Sequence, residues 1–122
     1  MGSIDWQDLF FSFDGRINRG KFWAGIGMMW LLALIVGGII GFGLFAVSKA
    51  LGWIVFIVVY AAALWIGLAL SVKRWHDRDK SGWWILIGLV PIIGGLWALI
   101  ETGFLPGTDG NNQYGPDPLG HA

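Results

Sequence analysis

No cysteine occurs anywhere in this 122-residue chain, which excludes disulfides, thiolate metal sites and cysteine nucleophiles. Charge is scarce as well: Asp, Glu, Lys and Arg supply 13% of the residues, against roughly 25% in an ordinary soluble domain. Eight basic residues balance eight acidic ones, so no net positive field marks the chain as a nucleic-acid binder. Histidine is limited to His76 and His121, too few for the ligand set of a His-Asp metallohydrolase. The N-terminus lacks a basic stretch followed by a short apolar core and a cleavage site. The first apolar run is therefore expected to act as its own uncleaved signal. Met1-Gly2 opens like a myristoylation site, but Trp6 stands where Ser or Thr is needed.

What the chain has instead is apolar length. Hydrophobic residues make up 56%, with nine tryptophans and a mean hydropathy of +0.65. Lipid is the natural solvent for such a composition. Three uncharged runs predict a single all-α membrane domain over 1–122, with transmembrane helices at about 22–47, 51–72 and 82–100. The first two are ample, and the third only just reaches. Pro91 and Gly94-Gly95 could bend that third run into a re-entrant hairpin. Two other helices would give its open backbone little cover, so a kinked span is the expectation.

Ahead of the spans, Trp6, Leu9, Phe10 and Phe13 recur at i, i+3, i+4 and i+7. They predict a short amphipathic interfacial helix over 3–14, with Ser3 as its N-cap and Asp5 in its first turn. Its aromatic stripe could face acyl chains or pack under the bundle. Asp14-Gly15 marks a turn, and Ser48–Gly52 a tight reversal between the first two spans. Residues 101–122, rich in Gly, Pro, Asn and Asp, read as an irregular tail of successive turns.

Lysine and arginine distribute unevenly about the spans. Arg16, Arg19 and Lys21 precede the first, and Lys73, Arg74, Arg78 and Lys80 come after the second; only Lys49 lies at the other end. Seven against one puts the N-terminus and the 73–81 loop in the cytoplasm and, with three spans, the tail outside. Small residues predict the packing: Ala33, Gly37 and Gly41 stripe the first span, Ala63, Gly67 and Ser71 the second. By depth, the outer half of the first helix should meet Gly94 and Gly95 of the third, and Gly67 should meet Gly88. Contact between copies through the same stripes is the competing reading.

Three groups of residues resemble the signatures of a bacterial inner-membrane family of unknown function, DUF805. They are Gly15-Arg16 with Arg19 and Phe22-Trp23; Arg74 with His76-Asp77 and Ser81-Gly82-Trp83-Trp84; and Gly107 with Gly110, Asn112 and Tyr114-Gly115-Pro116-Asp117-Pro118. The resemblance runs from about Asp5 to Pro118. It implies a small polytopic inner-membrane protein and brings no activity with it. Gln113 departs from the pattern, where Arg is more usual.

His76-Asp77 could serve as a base or a metal ligand, and Asp77 with Asp79 as a weak hard-cation site. The reading taken is plainer. Asp77 and Asp79 should pair with Arg74, Arg78, Arg16 or Arg19, with His76 hydrogen-bonded among them, tying the N-terminal segment to the loop. Ser81 should cap the third helix. No catalytic residue, metal or cofactor is expected. Basic residues at the surface could also hold anionic lipid headgroups, at about 1 kcal/mol each. The tail's Asp109, Asn111 and Gln113 start like a calcium loop but fail at Tyr114 and Gly120. The spans carry no charge, which argues against a solute path. The expected function is contact with another membrane protein, as an accessory, assembly or regulatory subunit or through a homo-oligomer. The alternatives are an oligomeric channel or small-solute transporter and, behind it, a membrane-surface enzyme using His76 and Asp77.

Overall fold

A computed structural model describes residues 5–119. Among these the chain is helical, and its one extended pairing is an isolated bridge between Asn112 and Gly115. Helix α1 (Trp6–Phe11) starts at Asp5, whose carboxylate accepts from the Asp8 N–H at 3.2 Å. Ser3, the expected cap, lies outside the described residues. The stripe packs inward: Leu9 and Phe10 are buried with Ile17, Phe22 and Leu70.

Asn18 caps α2 (Arg19–Ala33) by accepting from the Lys21 N–H at 2.8 Å. The helix continues through π-helical turns (Leu34–Gly41) into α3 (Phe42–Val47) without a break. Ser48, in extended conformation, is the one non-helical residue before α4 (Lys49–Asp77). Gly52 makes this reversal fit, because a Cβ there would overlap Phe45. Each of these two rods is 29 residues long, which at about 1.5 Å per residue exceeds a ~30 Å hydrocarbon core. Only 11% of the most apolar window of each is buried, so neither resembles the core helix of a soluble protein. Among the described residues, two helices are thus long and apolar enough to cross a membrane.

The expected third span is corrected. Ser81 does cap the run, accepting from the Trp83 N–H at 3.1 Å, but the capped segment, Gly82–Leu89, is a 3-10 helix. The backbone then breaks at Val90–Ile92 and returns as α5 (Ile93–Gly103). Each arm rises about 16 Å, half a bilayer core. Pro91 stops the first arm, and Gly94 closes the turn, since a Cβ there would overlap the Ile87 carbonyl. The run is a helical hairpin rather than one continuous helix.

Two further expectations fall with it. Because α5 returns to the end it left, residues up to Leu119 lie at the same end of the molecule as the 73–81 segment, Thr108 N–H donating to the Asp77 carbonyl. Helix packing changes too. A Cβ at Gly41 would sit 2.5 Å from Phe56 and one at Gly37 3.7 Å from Val59, so the outer half of the first rod packs on α4. Gly67 approaches Met29 of the first rod, while Gly88 and Gly95 have nothing within 4 Å of a built Cβ. Ala33 and Ala63 line an apolar cleft between the two rods. Among the described residues, no third helix reaches the outer half to meet Gly37 and Gly41, so α4 takes that place.

The tightest packing lies at the charged end. The largest fully buried side chains are Trp75, Arg74, Lys73 and Leu70, all in the last turns of α4. Residues 73–77 are therefore helix rather than loop, and the connection to the hairpin is only Arg78–Ser81.

Candidate functional site

Asp77 is the centre of the charged end. Its Oδ1 receives Arg16 Nε at 2.8 Å and its Oδ2 receives Arg74 Nη1 at 2.5 Å, in pairs almost wholly withdrawn from water. Burial of this kind holds only when the remaining donors are satisfied, and the chain supplies acceptors from its far end. Arg16 also donates through Nη1 to the carbonyls of Gly110 (2.8 Å) and Gly115 (3.3 Å), and through Nη2 to that of Thr108 (2.5 Å). Arg74 donates through Nε to Thr102 O at 2.6 Å and through Nη2 to Leu105 O. The Asp77 carbonyl accepts from the Thr108 N–H at 2.7 Å. No buried side-chain polar atom among the described residues is left without a partner.

The arginines and Trp23 also finish helix α5, whose last carbonyls have no intrahelical donors. Trp23 Nε1 donates to Gly103 O and Arg19 Nη1 to Phe104 O, both at 2.8 Å. Arg78 Nη1 reaches Pro106 O at 2.5 Å. Lys73 does the same for α1, donating to the carbonyls of Asp8 (2.6 Å) and Leu9 (2.5 Å). Cations at helix C-termini are favourable for the further reason that the helix dipole is negative there.

A second acidic centre fastens the hairpin. Glu101 Oε2 binds Lys80 Nζ at 2.5 Å and Arg78 Nε at 3.5 Å, and Oε1 accepts from Trp97 Nε1 at 2.8 Å. The Lys80 ammonium lies 4.7 Å from the Trp84 ring centroid. Burial pushes the Glu101 carboxyl upward, but the hydrogen bonds from Lys80 and Trp97 and the charges of Lys80 and Arg78 outweigh it. The net effect holds it below the ordinary glutamate range.

His76 joins the cluster through Nδ1, 2.8 Å from Gly15 O, and its ring stacks on Tyr114 at 3.9 Å and 5°. Its carbonyl accepts from Asn112 Nδ2 at 2.9 Å. The tail folds on itself to reach these positions: Gly110 N–H donates to Asp117 Oδ2 at 2.9 Å, and Tyr114 N–H to Asn112 Oδ1 at 2.8 Å. Pro116 continues this turn and is exposed. Asp79 differs from expectation. It takes a left-handed conformation (φ 61°) and accepts from the Gln113 N–H at 3.4 Å rather than pairing with an arginine.

Arg16, Arg19, Arg74, His76 and Asp77 are thus assembled with Gly110, Asn112, Tyr114, Gly115 and Asp117 into one structure. Arg78, expected among the pairing cations, and Trp23, quoted in the first signature, belong to it as well, as do Lys73, Thr108 and Glu101, which sequence reasoning missed. A signal existed for the cations, since each sits where a helix end must find donors. Glu101 was read only as the terminator of an apolar run. Among the described residues, no three of His, Asp and Glu converge as metal ligands would.

The family profile described as a protein of unknown function, DUF805, matches residues 10–116. Inner membrane protein YhaI of Escherichia coli K12 is 37% identical over 107 residues, covering 87% of this chain and 85% of its own. Inner membrane protein YhaH of the same strain is 33% identical over 113 residues, covering 87% and 86%. A third relative, Uncharacterized protein YiiR, is 33% identical over 135 residues, covering 91% and 88%. No solved structure matches.

Proposed function

The chain belongs to the DUF805 family of proteins of unknown function, and from that premise we propose a role by contact. It is a two-span protein of the bacterial inner membrane, charged end inward, that serves as an accessory, assembly or regulatory partner of a larger membrane complex. The placement draws on its inner-membrane relatives and on the seven Lys and Arg residues gathered at the charged end against Lys49 at the other.

One observation carries the contact reading. On this reading the hairpin, whose arms each rise about 16 Å, would turn at half-membrane depth, and its tip residues Leu89, Val90, Ile92 and Ile93 are exposed. Irregular backbone at that depth is tolerated only where protein or enclosed water covers it. The tip therefore calls for a neighbour that this chain does not supply. A tagged full-length copy, expressed at native level and extracted in mild detergent, is expected to retain a stoichiometric membrane-protein partner. Charged substitutions at Leu89 and Ile93 should release it. Recovery of monomer alone would overturn the proposal.

A further inference from the structure

We propose that a cleft at the charged end binds the primary ammonium headgroup of an aminophospholipid, whose N–H groups donate to Nε2 of His76. The cleft, about 420 Å³, is lined by Phe13, Val72, His76, Ser81, Trp83 and Tyr114, among others. Its volume falls in the range of roughly 300–1,000 Å³ usual for small-molecule sites.

The histidine is set in one tautomer by its neighbour. The Gly15 carbonyl beside Nδ1 can only accept, so Nδ1 carries the proton and Nε2 of the neutral ring presents a lone pair. The Tyr114 ring stacked on the imidazole holds its orientation. Nε2 makes no hydrogen bond among the described residues and is not sealed from the surface. An oriented acceptor of this kind matches a donor from outside the chain.

The lining narrows the donor. No Asp, Glu, Lys or Arg lines the cleft, so a ligand there is recognised by the imidazole and the aromatic faces rather than by a counter-charge. Phe13, Trp83 and Tyr114 offer aromatic surface, which attracts ammonium groups. A primary ammonium satisfies the imidazole and the aromatic lining together. The source is a lipid rather than a free amine because of where the cleft lies. Val72 ends the apolar run of α4 and Trp83 opens the hairpin, placing the cleft at headgroup depth with an apolar wall. The inference needs no protein partner and stands apart from the contact reading.

The test uses full-length protein with ¹⁵N-labelled histidine in phosphatidylglycerol nanodiscs, with His121→Ala leaving a single imidazole. The expected baseline is a protonated Nδ1 and a free Nε2. Added phosphatidylethanolamine should move the Nε2 resonance saturably, and phosphatidylcholine, whose ammonium has no N–H, should not. Trp83→Leu, at a surface position, should weaken the response about fivefold while preserving the baseline tautomer. No response to phosphatidylethanolamine, or an equal one to phosphatidylcholine, would overturn the hydrogen bond to His76. An unchanged response in Trp83→Leu would overturn the aromatic role. The same shift from free ethanolamine would overturn the assignment to a lipid.

Discussion

Arg16 binds the two ends of the chain together, and its guanidinium shape is the reason. It donates to Asp77, Thr108, Gly110 and Gly115 at once, which a lysine ammonium on a flexible stem cannot reproduce. Arg16→Lys is expected to cost about 2 kcal/mol and to make residues 107–119 protease-sensitive. Asp77→Ala, which leaves two buried guanidiniums without their anion, should cost roughly 3–5 kcal/mol. Denaturant titration in micelles, monitored by tryptophan fluorescence, measures both. Variants indistinguishable from the parent would mean the cluster does not hold the fold. A residue of opposite effect is Ile92, a β-branched side chain at φ 65°. Ile92→Gly should raise stability by about 1 kcal/mol in the same titration, and a loss would show that the Ile92 side chain contributes more than its backbone costs. Much of this scale was legible in the chain. The aspartate beside a run of arginines announced pairing, whereas Lys73 and Glu101 looked like span boundaries because their partners are set by where helices end in space.

At the scale of elements, the hairpin shows where sequence reasoning stops. Pro91 and Gly94 pointed to the bend, yet the run was long enough to cross and the expected cover was thin. The deciding contacts are not local. Arg19, Trp23, Arg74 and Arg78 donate to the carbonyls at the end of α5 and its exit, and Glu101 ties that helix to Lys80. This tie makes the hairpin sensitive to acid. A carboxyl held below its ordinary value contributes stability above that value and loses the contribution as pH falls through the folded one. The emission of an environment-sensitive fluorophore coupled at neutral pH to an Ile100→Cys variant should therefore shift as pH drops below about 4.5. Adding Glu101→Gln should give the shifted emission already at neutral pH and remove the pH step. If both proteins show one profile, the tie does not hold the hairpin.

At the scale of the whole molecule, the parts make an asymmetric object. Two apolar rods project from a knob in which α1, the end of α4, the hairpin base and the tail share one buried network. Residues 5 to 117 are needed to complete that network, which explains why the three signatures lie so far apart in the chain and so close in space. With two candidate spans among the described residues, the segments before α2 and after α5 meet in the knob, where Arg16 reaches Gly110. The absence of cysteine makes this easy to test, because each introduced thiol is the only one present. Single variants Asp14→Cys and Asn111→Cys, both at exposed positions, should react with an impermeant reagent only from the same side of inverted or right-side-out vesicles. Lys49→Cys, at the tip of the two rods, should react only from the other. Lysine and arginine bias assigns the first pair to the cytoplasm. Labelling of Asn111→Cys together with Lys49→Cys would restore a third crossing and break the network, since Arg16 could not then reach Gly110 across a bilayer.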